Sequence, residues 1–160
     1  TTAVHAASWQ DDRATIERIR RAVFIDEQGI PEADEWDECD PVSEHVLAGL
    51  TKRDAVGTGR LEATGKIGRV AVLAQFRGCG IGSRIVVHLV KQATELGLAQ
   101  VYLHAQASAV AFYERLGFQV DGPEFDEVGI PHRRMRQRIE QVDGYKAGRN
   151  GKSEHSVDAG

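Results

Sequence analysis

The residue types most able to do chemistry are concentrated between Val70 and Ser83. An apolar strand pattern, Val70 to Leu73, runs through Gln75 into Arg77-Gly78-Cys79-Gly80-Ile81-Gly82-Ser83, and a helical pattern begins at once. Glycines in alternation let the backbone take positive φ and leave no Cβ in a ligand's way. The amides of such a turn, with the first N–H groups of the helix behind it, converge on one point where an anion can sit. Arg77 adds a full positive charge to those partial ones. The pattern reads as a pyrophosphate cradle for a nucleotide-containing cofactor, against the plainer alternative of glycines that only turn the chain. Cys79 offers the cradle its backbone N–H. Its thiol has no histidine partner in sequence and is given no nucleophilic role.

Two common cradles do not fit. A dinucleotide fingerprint requires G-x-G-x-x-G and an acidic residue about 20 positions on; here Ser83 stands at the third glycine, and the next strand ends at Gln106. A phosphate-binding P-loop needs Gly-Lys-Ser/Thr closing the glycine turn, and no such triplet closes this one. The spacing Gln75-x-x-Gly78-x-Gly80 instead resembles the acyl-CoA signature of the GNAT N-acetyltransferases. Ala109-Val110-Ala111-Phe112-Tyr113-Glu114-Arg115-Leu116-Gly117-Phe118 resembles that family's downstream segment, in the family's order and at its usual separation. Phe24-Ile25-Asp26-Glu27-Gln28, followed by Glu35-Trp36-Asp37 and Asp40, is similar to a pattern of ElaA-like members, as is Gly129-Ile130-Pro131-His132-x-x-Met135. The resemblance spans residues 3 to 140.

The resemblance implies acetyl-CoA as cosubstrate and transfer of its acetyl group to an amine. It places cofactor contacts at Val70, Val72, Gln75, Arg77, Gly78, Cys79, Gly80, Ile81, Gly82, Ser83 and Gln106. Of these, a main-chain N–H of the strand, that of Val72 above all, would polarise the thioester carbonyl. Gln106 stands where many members carry Asn, one methylene shorter. Tyr113 is the expected general acid, because a neutral phenol titrating near about 10 can protonate a leaving thiolate whose thiol titrates near about 8.5. The bland alternative packs Tyr113 beside Phe112 and Leu116 as a half-buried aromatic. An acceptor ammonium must lose a proton before it attacks, and Glu35, Asp37 and Asp40 are the candidate bases or amine-attracting charges. They belong to a run of six carboxylates in the nine residues 32–40, which is otherwise a solvated acidic loop. Glu27 and His132 are weaker candidates for the acceptor pocket, and His45 and His104 read as ordinary strand residues. No covalent enzyme intermediate is expected. A non-catalytic acyl-CoA sensor and a peptide or protein N-acetyltransferase are the rival functions.

The elements that must position these residues are legible from periodicity. Ala3 to Ala7 suggests a first strand. Ile16, Ile19, Val23 and Phe24 share a helix face, capped by Asp11 or Asp12 and stopped near Gly29. A hairpin around residues 52–54 precedes the strand Ile67 to Leu73. The helix after the cradle carries Ile81, Ile85, Leu89, Ala93 and Leu96 on one stripe. Strand 101–105, helix 108–116 and a final hairpin follow. The fold class is therefore α/β, a single GNAT-type domain over residues 1–140. Its mixed, mostly antiparallel sheet is flanked by helices and, by the resemblance, splayed between the fourth and fifth strands. Residues 141–160 are expected to be a disordered tail.

Bulk properties set the outer limits. At 160 residues, 41% hydrophobic and 28% charged, the chain is long enough for one well-buried core. A net charge of −4 gives no reason to expect nucleic acid or an anionic membrane as partner. Two cysteines, Cys39 and Cys79, are too few for a disulfide framework or a zinc site, so no metal and a reducing, cytoplasmic setting are expected. Family members often pair through their C-terminal strands, which makes a homodimer one expectation.

Overall fold

The computed structural model describes residues 2–140, so the expected tail lies outside the described residues. Among the described residues seven strands and four α-helices follow in the expected order, except that the short helix α2 forms where an acidic loop is expected: β1 (Ala3–Ala7), α1 (Trp9–Arg20), α2 (Glu32–Glu35), β2 (Glu44–Gly49), β3 (Gly57–Leu61), β4 (Ile67–Val72), α3 (Ile81–Glu95), β5 (Gln100–Gln106), α4 (Val110–Arg115), β6 (Gln119–Glu127) and β7 (Ile130–Arg138). β1-β2-β3-β4 form one antiparallel sheet and β5-β7-β6 another. The two sheets meet only at the start of β4 and β5, through a parallel bridge between Lys66 and Tyr102. Beyond that bridge the two strands diverge, which is the expected splay.

Alternation along the strands builds a core on each face of the first sheet. Val46, Ala48 and Leu61 pack with Ile81, Ile85 and Leu89 of α3. Leu47 and Ala71 pack with Trp9, Ile16, Ile19, Val23 and Phe24 on the opposite face. α3 lies close against β3 because Gly59 carries no side chain; a Cβ there would stand 2.7 Å from Ile85 and 2.9 Å from Leu89. That close seat fixes the start of α3 beside the end of β4.

Three local expectations change. Ser8, not Asp11 or Asp12, caps α1: its hydroxyl accepts from the Asp11 N–H, and Asp12 accepts from the Ser8 N–H in return. α1 then widens into a π-helical segment, Arg21–Glu27, before Gly29 ends it with φ 75°. Such widened turns gather at functional sites, and this one turns Phe24 and Gln28 toward the split. Leu96 caps α3 and is exposed, so the buried stripe ends at Ala93.

Candidate functional site

The glycine turn has the shape its composition implies. Gly78 and Gly80 take φ of 84° and 82°, and a Cβ on either would meet nothing within 4 Å. Only conformation, not crowding, demands glycine at these positions. Gly80 starts α3, and its carbonyl accepts the Arg84 N–H at 3.2 Å. The N–H groups of Ile81, Gly82 and Ser83 precede that first bond and have no partner within the helix. No acidic side chain occupies the first turn of α3. Residues 74–80 are exposed, with Cys79 among them. The turn therefore offers an open, electropositive ring of backbone donors to solvent.

Arg77 is engaged elsewhere. Its guanidinium donates to both carboxylate oxygens of Glu27 at 2.6 and 2.7 Å, and its Nε donates to the Val72 carbonyl at 2.9 Å.

β4 carries an irregularity where it forms the wall of the split. Thr58 pairs with Ala71 and Arg60 with Gly68, so Arg69 and Val70 together oppose Gly59 alone. This is a β-bulge, and Arg69 holds φ 51° at its centre. Beyond it, Leu73 donates to Val56, so ladder alternation makes Gly57 and Val72 a non-hydrogen-bonded pair. The N–H and C=O of Val72 accordingly turn away from β3 into the split, and the Arg77 contact to its carbonyl follows from that direction.

Between the diverging strands lies a cleft of about 260 Å³, walled by Gly68 and Val70 of β4, His104 and Gln106 of β5, Tyr113 of α4 and Gln28, which caps the π-helical segment. Gln106 donates to Gln28 across it at 2.9 Å. Tyr113 is half-buried, with Phe112 and Phe118 edge-on to its ring at 4.9 and 5.8 Å. Burial pushes the phenol up to about 12, so it stays protonated at any physiological pH.

A family model described as "Acetyltransferase (GNAT) domain" matches residues 30–139. The chain belongs to the GNAT acetyltransferases. It is 42% identical to the Bacillus subtilis protein YyaT over 128 residues, 76% of this chain and 86% of that one. Among solved structures, an acyl-CoA N-acyltransferase from Pseudomonas aeruginosa superposes with a TM-score of 0.76 at 29% identity, covering 86% of this chain and 99% of that one. Escherichia coli ElaA gives the same TM-score and coverages at 25% identity. The protein is an N-acetyltransferase of ElaA-like architecture.

In this GNAT domain Glu35 and Asp40 of the acidic segment 32–40 are buried while Glu32, Asp34, Asp37 and Glu38 stay exposed, which corrects in part its reading as a solvated loop. Arg20, wholly buried, donates to Glu35 Oε2 at 2.9 Å and to Asp40 Oδ1 at 2.7 Å. Arg60 bridges Asp37, Asp40 and Glu62 at 2.8, 2.8 and 2.9 Å. Arg69, from the bulge, pairs with Glu35 at 3.2 Å and Asp37 at 3.1 Å. Burial alone would raise Asp40, but hydrogen bonds and charge from Arg20, then Arg60, hold it below the usual carboxylate range. Asp37 is lowered too: burial opposes the shift, and Arg60 and then Arg69 outweigh it. Neither Asp37 nor Asp40 lines the cleft, and their ion pairs make them counter-ions rather than proton acceptors. Glu35 does line it, and burial raises its pKa despite Arg69 and Arg20.

Of the remaining candidates, Glu27 holds Arg77, and His132 is buried on the cleft wall with its ring stacked on Phe125. His45 is a buried strand residue, hydrogen-bonded to the Asp40 carbonyl at 2.8 Å and stacked on Trp9. Gln75 is exposed on the turn before Arg77. Sequence reasoning missed Arg20, Arg60 and Arg69. One signal was available for Arg20, which falls on the apolar stripe of Ile16, Ile19 and Val23. His104 was read as an ordinary strand residue, yet it faces the cleft and pairs with Glu127 at 3.0 Å.

No group of His, Cys, Asp or Glu among the described residues is arranged to hold a metal ion. No helix among them is long and apolar enough to cross a membrane.

Proposed function

We propose that this GNAT domain transfers the acetyl group of acetyl-CoA to the primary amine of a small cationic acceptor, by direct attack of the amine on the thioester. One observation carries the reading. The bulged strand β4 turns the Val72 N–H away from β3 on the side where the strands diverge, Tyr113 lines the cleft between those strands, and β4 ends in the open glycine cradle.

The cradle fits a diphosphate. Its donors are unobstructed, the N–H groups of Ile81, Gly82 and Ser83 lack helical partners, and no carboxylate crowds the first turn. The pantetheine arm would then run along the split, with the Val70 and Val72 main chain as its ladder partner. A backbone donor aimed at a developing oxyanion is worth roughly 3 to 4 kcal/mol elsewhere. Tyr113, protonated throughout, supplies the proton to the departing sulfur. Asp34, Glu35 and Glu127 line the cleft and are the groups that would attract a cationic amine, beside Arg60, Lys66 and Arg69 on the same lining.

Calorimetry with acetyl-CoA, followed by thiol release across a panel of primary amines, tests the reading. Micromolar binding with amine-dependent thiol release is the expected result. Binding without transfer to any amine points to the sensor function instead, and absence of acetyl-CoA binding overturns the proposal.

A further inference from the structure

The cleft contains one polar pair that the reading above leaves unused. His104 Nδ1 stands 3.0 Å from Glu127 Oε1. An ionised carboxylate only accepts, so Nδ1 carries the hydrogen and the neutral ring keeps its lone pair on Nε2. Phe125 meets the imidazole edge-on at 5.1 Å, and Tyr102 flanks it at 6.4 Å. The ring is thus held in one tautomer and one orientation.

Register places the pair beside the reacting centre. Lys66 and Tyr102 form the last bridge before the split. Two residues further along each strand, Gly68 and His104 face one another, and both line the cleft. The bulge at Arg69 and Val70 follows immediately on β4. His104 therefore stands toward the closed end of the split, beyond the Val72 N–H as seen from the cradle, on the side from which an acceptor amine would meet the acyl group.

Glu127 is delivered by a costly turn. Val128 and Gly129, the two residues joining β6 to β7, have φ of 47° and 79°. A β-branched residue in the left-handed region is an outlier, and such strain persists where the surrounding structure over-determines it, often at functional sites.

We propose that His104, oriented by Glu127, is the general base that takes a proton from the acceptor ammonium. This rests on the acetyl-transfer reading. Nε2 accepts one proton, leaving an imidazolium beside the Glu127 carboxylate. The freed nitrogen lone pair forms the C–N bond as the C–S bond breaks. The departing sulfur takes the Tyr113 proton, the second proton lost from nitrogen restores the phenol through water, and His104 returns its own to solvent. The charged groups around the imidazole are Glu127 from β6, Arg134 opposite it on β7, Lys66 across the split, and, on the same cleft lining, Asp34 and Glu35 from α2, Arg60 from β3 and Arg69 from β4. Arg134 is itself paired with Asp121 and lies over the Tyr102 ring. His132, beyond Phe125, is the nearest other imidazole on that wall.

The test follows thiol release from saturating acetyl-CoA across pH, using the best acceptor of the primary-amine panel; a panel that yields no acceptor removes the base together with acetyl transfer. His104→Ala and His104→Gln should lower kcat by about 100-fold. Both should bind acetyl-CoA within about twofold of wild type, because the proposed role lies in the chemical step and not in cofactor affinity. The ascending limb of the pH–kcat profile should disappear in both. Glu127→Gln, whose amide can either accept from or donate to Nδ1 and so no longer fixes the tautomer, should lower kcat by less than the His104 variants do. His104 variants that bind acetyl-CoA and retain kcat within about threefold, with the limb intact, overturn the base while leaving acetyl transfer standing. A wild-type protein that does not bind acetyl-CoA removes both.

Discussion

Arg77 and Glu27, fifty residues apart in the chain, lock together across the mouth of the split through two charge-assisted hydrogen bonds of 2.6 and 2.7 Å. The contact lowers the Glu27 pKa, chiefly through the hydrogen bond, and raises that of Arg77 for the same reason. Both side chains are 42% exposed, so the pair is partly screened. A phosphate arriving at the cradle would compete with Glu27 for the same guanidinium.

Removing that competitor should therefore tighten cofactor binding. Glu27→Gln is expected to lower the acetyl-CoA Kd by roughly threefold, and Arg77→Ala to raise it by roughly fivefold, the scale of one exposed ion pair. Calorimetry at low and high salt decides it, since both effects should shrink as salt rises. Identical Kd values in all three proteins would mean that Arg77 serves only to pin the end of β4.

Tyr113 tests the acid. Its phenol, pushed up to about 12 by burial, is never deprotonated in the range where the enzyme is assayed. Tyr113→Phe should lower kcat by about 100-fold or less while leaving acetyl-CoA affinity nearly unchanged. The wild-type profile should show no loss of rate assignable to phenol ionisation up to pH 10, because that loss begins only as pH approaches the raised value. A descending limb near pH 9 that vanishes in Tyr113→Phe would contradict the shift.

The buried charge cluster governs stability. Asp40 neutralises Arg20 and Arg60 together, and all three are at most 2% exposed. Asp40→Ala removes the counter-ion the two buried guanidiniums share, leaving Arg20 only Glu35 and Arg60 only Asp37 and Glu62, and should cost about 3 kcal/mol. For a domain of this size that is a fall in Tm on the order of 10 °C. The acid dependence follows in sign from the lowered pKa values of Asp37 and Asp40. Stability from these groups is fully present above the unfolded carboxylate range and is lost as pH drops below about 4 through the depressed folded values. Glu35, raised by burial, works the other way and weakens the fold as pH climbs past its unfolded value. Thermal melts from pH 2 to 7 should show a steep acid loss in wild type and a flatter curve, lower at neutral pH, in Asp40→Asn.

The same cluster marks where sequence reading stops. The glycine turn, the strand before it and the α3 stripe are local patterns, so Gly78, Gly80, Ile81 and Ile85 announce their own roles. A counter-ion is not local. Arg20 and Asp40 are twenty residues apart, and Arg60 and Asp37 twenty-three. A run of carboxylates looks the same in sequence whether it faces water or buried guanidiniums. The bulge at Arg69 is equally silent, because nothing in Ile67 to Val72 says which residue is extra; only pairing with Gly59 shows it. His104 was legible as a strand residue, but Glu127, twenty-three positions on, was needed to show which way it could act. Tyr113 and the cradle could be proposed from sequence because the motif of each is local, carried by the residue and its immediate neighbours.

The turn between β6 and β7 offers the last test. Glu127 pairs with Ile130, leaving Val128 and Gly129 as a two-residue loop with both φ values positive, the requirement of a type I′ turn. Glycine meets that requirement freely, but valine does not, and its branched Cβ makes the left-handed region cost roughly 1 to 2 kcal/mol. Val128 is 43% exposed, so little apolar burial offsets the strain. Asparagine tolerates this conformation and precedes glycine in the most favoured I′ loops. Val128→Asn should therefore stabilise the domain by about 1 kcal/mol, a rise in Tm of about 2 to 4 °C by calorimetry. A fall in Tm instead would show that the valine side chain gains more from the cleft wall than its backbone loses.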